Sequence, residues 1–222
     1  MYKRQVEDPD AAWDRRIEVA RQSGIPADAL ATYEKRRGES PHIDRLIEPD
    51  RELLPGVAIE TDVGIWDVYE TPGHAPSHVV LHQPERRLMI SGDHLLGRVS
   101  VFFDQGHSPD PVGEFLGSLD RVEQLPTDLC LAGHGRPFRG VPAKIAANRE
   151  MTIGQMERVR ASLQAGPKSA FEIVADLLGE AYSPQMAGWG LQVTLAHLDH
   201  LSVLGEASNA LEGDQKIWQY TG

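Results

Sequence analysis

Three short stretches of this chain carry residue types that could hold metal ions and activate water. They are Thr71-Pro72-Gly73-His74-Ala75-Pro76-Ser77-His78, then Ser91-Gly92-Asp93-His94, then Gly133-His134-Gly135-Arg136-Pro137. Each sets an imidazole or a carboxylate in a glycine turn beside a short apolar run, such as Val79-Val80-Leu81, Leu88-Met89-Ile90 or Leu129-Cys130-Leu131. Ligands placed at the ends of neighbouring strands are a common way for a sheet to build a metal site.

The other histidines need separate readings. His74, His78 and His82 are four apart, which on a helix would make a metal-binding stripe, but Pro76 forbids a regular helix across them. On a strand His78 and His82 share a face, and His74 stays in the turn. His78 has two open readings, orienting a ligand or loop and simple turn structure. His82 reads as a surface strand residue. His94 points away from Asp93 if strand geometry persists, with proton transfer as its alternative role. His42, in a Ser-Pro loop, reads as a surface residue, and Cys130 as a buried thiol inside a strand.

TPGHxxxH, then GD, then a strand running into GHG, in this order and spacing, resembles the second half of a metallo-β-lactamase-fold hydrolase. The resemblance implies that His74 binds one metal ion, that Asp93 bridges two, and that His134 binds the other. It implies two zinc ions around a bridging water whose pKa is drawn towards ~7, so that a metal-bound hydroxide attacks an ester, thioester or lactam without a protein nucleophile. The family also has an earlier HxHxDH motif, and this chain contains none. Three ligands from one half do not build a two-metal site, so the resemblance implies weak or no stoichiometric metal binding and a chain inactive as given.

The elements that must position these residues follow from the pattern. Asp8-Pro9 caps a helix carrying Trp13, Ile17 and Ala20, and Pro26 opens a second through Leu30 and Tyr33, ending in a solvated basic triplet. This helical insert at residues 9–37 is expected to form a substrate-shaping lid at the mouth of the site. Runs at residues 45–48, 57–60 and 65–69 read as strands punctuated by Pro55-Gly56 and Asp62-Val63-Gly64. The segment after Asp93 is long and partly aromatic, and Phe102, Phe103 and His107 are expected to line the substrate cavity, with a packed loop as the competing reading. Residues 111–124 form an amphipathic helix that covers the sheet through Phe115, Leu116, Leu119 and Val122.

Residues 6–140 thus read as a partial metallo-β-lactamase-fold domain. Residues 141–222 read as a helical linker and a small C-terminal domain: a long helix to Gln164 carrying Ile145, Ile153, Met156 and Val159, a helix capped by Ser169, a helix over 192–204, and a hairpin about Glu212-Gly213-Asp214. Helix, helix and a two-stranded wing resemble the winged-helix domain of the lactamase-beta-2-like branch. The fold class is therefore α/β, the second half of an αβ/βα sandwich followed by a small winged-helix domain. Met1-Tyr2-Lys3-Arg4-Gln5 resembles the translated end of a transposon adapter used in preparing sequencing libraries. On that reading the natural sequence starts at Val6 with its upstream part lost; the alternative is a naturally short chain that has lost its site.

Charge narrows the partners. The formal net charge is −11 over 222 residues, which repels phosphate backbones in general. Residues 166–222 carry two basic side chains against seven acidic ones, and the helix that would read DNA has no Lys or Arg. A structural or homodimerising C-terminal module is the favoured reading, with His197 and His200 as exposed positions on that helix. No apolar run approaches the ~20 residues that cross a bilayer, and no signal pattern is present, so the expectation is a cytoplasmic hydrolase of a small-molecule substrate. A nuclease of the same fold and a non-catalytic interaction protein are the alternatives.

Overall fold

The computed structural model describes residues 8–37, 49–97, 102–103, 106–183 and 185–222. His42 and the strand expected over residues 45–48 lie outside the described residues. In chain order the elements are α1 (Pro9–Gln22), α2 (Ala27–Lys35), β1 (Ala58–Thr61), β2 (Gly64–Glu70), β3 (Val79–Gln83), β4 (Leu88–Gly92), α3 (Pro111–Glu123) and β5 (Leu129–Ala132). They continue with α4 (Val141–Gln164), β6 (Lys168–Ser169), α5 (Ala170–Leu178), a short 3-10 turn, α6 (Ala187–Val203), β7 (Ala207–Glu212) and β8 (Gln215–Tyr220).

β1 to β5 form one sheet in sequence order, antiparallel except for the last pair, where β5 runs parallel to β4 after the crossover through α3. Register sorts the side chains into two faces. Met89 and Cys130 pair directly on one face, and Val80 joins them; all three are fully buried with Phe115, Leu119 and Val122 of α3. The opposite face carries the row Val68, Leu81, Ile90 and Leu131, and is less covered, with Ile90 38% exposed. The helix α3 starts where Asp110 accepts a hydrogen bond from Gly113 N at 2.8 Å and Pro111 presets the first turn.

The C-terminal unit has its own antiparallel sheet, β6-β8-β7, packed with α4, α5 and α6. Ser169 opens α5 through a reciprocal capping box with Glu172, as the Ser-x-x-Glu spacing predicts. The buried core is continuous from the five-stranded sheet through α3 and α4 into α6. α1 and α2 pack towards this C-terminal unit: α1 meets β8, Phe171 N donates to Ser23 O at 2.9 Å, and a Cβ on Gly24 would sit 2.8 Å from Ser169 Cβ.

Three histidines expected at the surface are buried. His82 is 2% exposed, its Nε2 donating to Pro126 O at 3.0 Å. His197 is fully buried between its own helix and Thr152 O of α4, and His200 is 8% exposed and bonded to Asp110. In each case the partner is far away in sequence and satisfies a ring nitrogen that burial would otherwise strand. No helix among the described residues is long and apolar enough to cross a membrane.

Candidate metal-binding site

The site lies where β2, β4 and β5 end. β2 runs into the Thr71–His78 turn, which closes on itself through Thr71 N to His78 O at 2.8 Å and His78 N to Ala75 O at 3.1 Å. α3 clamps that turn from below: Ser118 Oγ donates to Pro72 O at 2.8 Å, and the Arg121 guanidinium donates to Glu70 O. Gly73 has φ +130°, and a Cβ there would lie 2.6–2.9 Å from Phe115 atoms, so only glycine lets the turn rest on α3. The result is His74 held over the sheet edge.

Asp93 follows a register shift between Ile90 and Gly92, a local irregularity that re-aims the strand end. Gly133 N donates to Gly92 O at 2.7 Å, which ties the end of β5 to the end of β4. A Cβ on Gly133 would be 2.4 Å from Asp93 Oδ1, and one on Gly92 would be 2.7 Å from His78 Nε2. Both glycines leave the space that the carboxylate and the His78 ring occupy.

The three residues of the motif converge. His74 Nε2 is 3.4 Å from Asp93 Oδ2, and His134 Nε2 is 3.5 Å from Asp93 Oδ1, so each carboxylate oxygen faces a different imidazole. His74 Nδ1 lies 2.7 Å from Phe102 O, an atom that can only accept, so Nδ1 carries the proton and Nε2 presents its lone pair to Asp93. Two lone pairs facing each other at that distance call for a positive charge between them, a proton or a metal ion. His78 serves the site indirectly: Asp93 N donates to its Nε2 at 3.1 Å, which leaves Nδ1 to donate to Thr71 Oγ1 at 2.8 Å. This bond fixes both the tautomer of His78 and the start of the Asp93 loop.

Burial, then the neighbouring His74, lowers the His78 pKa to about 4, with Asp93 opposing. His94 is fully buried against Phe115 at 5.2 Å between ring centroids, and among the described residues neither ring nitrogen has a hydrogen-bond partner. Burial, then His78 and Arg121, lowers its pKa to about 3. Of the expected cavity residues, Phe102 is half-buried with its ring 6.3 Å from that of His74, and His107 is exposed. Phe103 is 1% exposed and packs edge-on against Phe115 and His197, which is the packed-loop reading rather than a cavity wall. Among the described residues no group of three or more His, Cys, Asp or Glu side chains is set to enclose an ion. Imidazole and carboxylate are donor types that zinc takes, and here one carboxylate oxygen faces one imidazole on either side of Asp93.

The family described as the metallo-beta-lactamase superfamily matches residues 9–134, and the chain belongs to it. A curated relative, "Probable metallo-hydrolase YqjP" of Bacillus subtilis, is 30% identical over 170 residues, which is 74% of this chain and 53% of that protein. The chain thus spans about half the length of that relative. A metallo-beta-lactamase family protein, TTHA1429, from Thermus thermophilus shares the fold at TM-score 0.77 with 24% identity, covering 98% of this chain and 67% of that one. A beta-lactamase domain protein from Burkholderia ambifaria matches at TM-score 0.75 and 29% identity, over 90% of this chain and 61% of its own.

Proposed function

We propose that this chain is the second half of a metal-dependent hydrolase acting on a small ester, thioester or lactam. The observation that carries the reading is Asp93, whose two oxygens each face one imidazole, His74 on one side and His134 on the other. Those three residues would hold zinc, which when bound supplies Lewis acidity and a water acidified towards neutral pH. The chain's own groups do the positioning: Phe102 O fixes the tautomer of His74, and His78 holds the backbone of Asp93. Phe102, whose ring lies 6.3 Å from that of His74, would contact substrate there.

The C-terminal unit is read as a winged-helix-like module with a structural or dimerising role, because its charge is acidic and its candidate reading helix carries no Lys or Arg. The same charge disfavours the nuclease reading. The second reading, a non-catalytic protein, draws on the three-residue donor set, too few for a closed metal pair. Sequencing the locus upstream of the codon for Val6 and expressing what precedes it together with this chain separates the two. The proposal expects chelator-sensitive hydrolysis that Asp93→Ala lowers by more than ~100-fold, beyond the loss typical of a supporting residue. Hydrolysis indifferent to Asp93→Ala overturns it, and a stop codon with intergenic sequence directly upstream favours the non-catalytic reading.

A further inference from the structure

Two of the contacts that α6 makes with the site-bearing half lead towards His74. At the first, His197 lies edge-on to Phe103 with ring centroids 5.9 Å apart, held by Val193 O at 2.8 Å and Thr152 O at 3.3 Å. Phe103 is the residue after Phe102, whose carbonyl accepts the hydrogen bond from His74 Nδ1. At the second, His200 Nδ1 lies 2.8 Å from Asp110 Oδ1, the same oxygen that accepts from Gly113 N at the start of α3. α3 in turn holds the His74 turn through Phe115 against Gly73, Ser118 on Pro72 O and Arg121 on Glu70 O. One helix therefore braces the tautomer-setting carbonyl and the helix beneath the turn.

We infer that His197 and His200 are positioning residues for the metal-binding site, and that α6 acts as a two-point brace that sets the orientation and tautomer of His74. The plainer alternative is that both histidines merely satisfy buried polar positions between α6 and its neighbours. It leaves unexplained why the two histidines, one turn apart on α6, brace the two separate segments that converge on His74. The inference rests on the hydrolase reading only for its biological meaning; the contacts stand without it.

The test is histidine-ring nitrogen NMR on the metal-free chain, a readout independent of any activity. The brace predicts that His200→Leu and His197→Leu weaken the hydrogen bond from His74 Nδ1 to Phe102 O, shift the Nδ1 signal, and speed exchange of its proton at least about tenfold. His200→Asn, which keeps a donor at the Nδ1 position, restores the wild-type signals. Ile173→Ala, a buried change in α5 within the same unit, serves as the stability control and leaves His74 unmoved. Should His200→Leu fail to fold, Asp110→Asn replaces it, because asparagine still caps α3 while losing the charge facing His200. His74 signals that respond to Ile173→Ala as strongly as to the His197 and His200 variants, or that respond to none of them, overturn the inference. Altered His74 signals with no hydrolysis by the extended protein would sink the functional reading and leave the brace intact.

Discussion

The histidines at the sheet edge and those of α6 are the same residue type put to opposite uses. At the edge, His134 is 69% exposed and His74 25% exposed, and their Nε2 atoms converge on one carboxylate. In α6, His197 is fully buried with both ring nitrogens set against backbone carbonyls. The α6 histidines are held by contacts within the fold, whereas each edge imidazole turns Nε2 towards Asp93. Removing an α6 histidine should therefore cost stability, and removing an edge histidine should cost only function.

The turn that creates the open edge should be the most fragile point. Gly73→Ala adds a Cβ in a left-handed region and within 3 Å of Phe115 backbone atoms, so strain and displacement together are expected to cost about 4 kcal/mol in denaturant unfolding. His197→Ala opens a cavity where a fully buried ring packs against Phe103, for about 3 kcal/mol. His94→Phe is expected to stabilise by about 1 kcal/mol, since it keeps a ring against Phe115 and removes two buried unpartnered nitrogens. His134→Ala should change unfolding by less than ~0.5 kcal/mol. A cost at His134 as large as that at His197 would break the contrast.

Acid sharpens the same comparison. Burial holds His78 and His197 at about 4 and His94 at about 3, below the ordinary histidine value of 6.5. Between those values the unfolded chain takes up protons that the folded chain refuses. Stability is thus full above pH 6.5 and falls as the pH drops towards 4. His94→Phe removes one of these groups, so its unfolding free energy should fall less steeply over that window; an unchanged slope counts against a neutral buried His94.

Much of the site is legible in the sequence because glycine and proline mark the turns that aim it. His74, Asp93 and His134 meet at the sheet edge, and α3, the Ser169 cap and the β7–β8 hairpin fall where periodicity and turn residues place them. The buried histidines are not legible, because their partners lie 44, 45 and 90 residues away, two of them backbone carbonyls that no residue type announces. α4 misleads for a related reason. It buries the polar Asn148, Thr152 and Gln155 beside its apolar residues and leaves Ile153 40% exposed, so apolar periodicity alone does not mark its buried face. The supports of the site, Thr71, Phe102 O, Ser118 and Arg121, also act largely through main-chain atoms. Gly73, Gly92 and Gly133 are supports with a visible signal, each directly preceding a motif ligand.

The central claim is that His74, Asp93 and His134 form one open edge of a metal centre. A zinc titration followed through the histidine ring nitrogens tests it most directly. An open edge predicts weak, dialysable binding in which His74 and His134 shift together and the α6 histidines do not, with the response abolished by Asp93→Ala. Zinc retained tightly through dialysis at two ions per chain, or a response confined to other histidines, would contradict it.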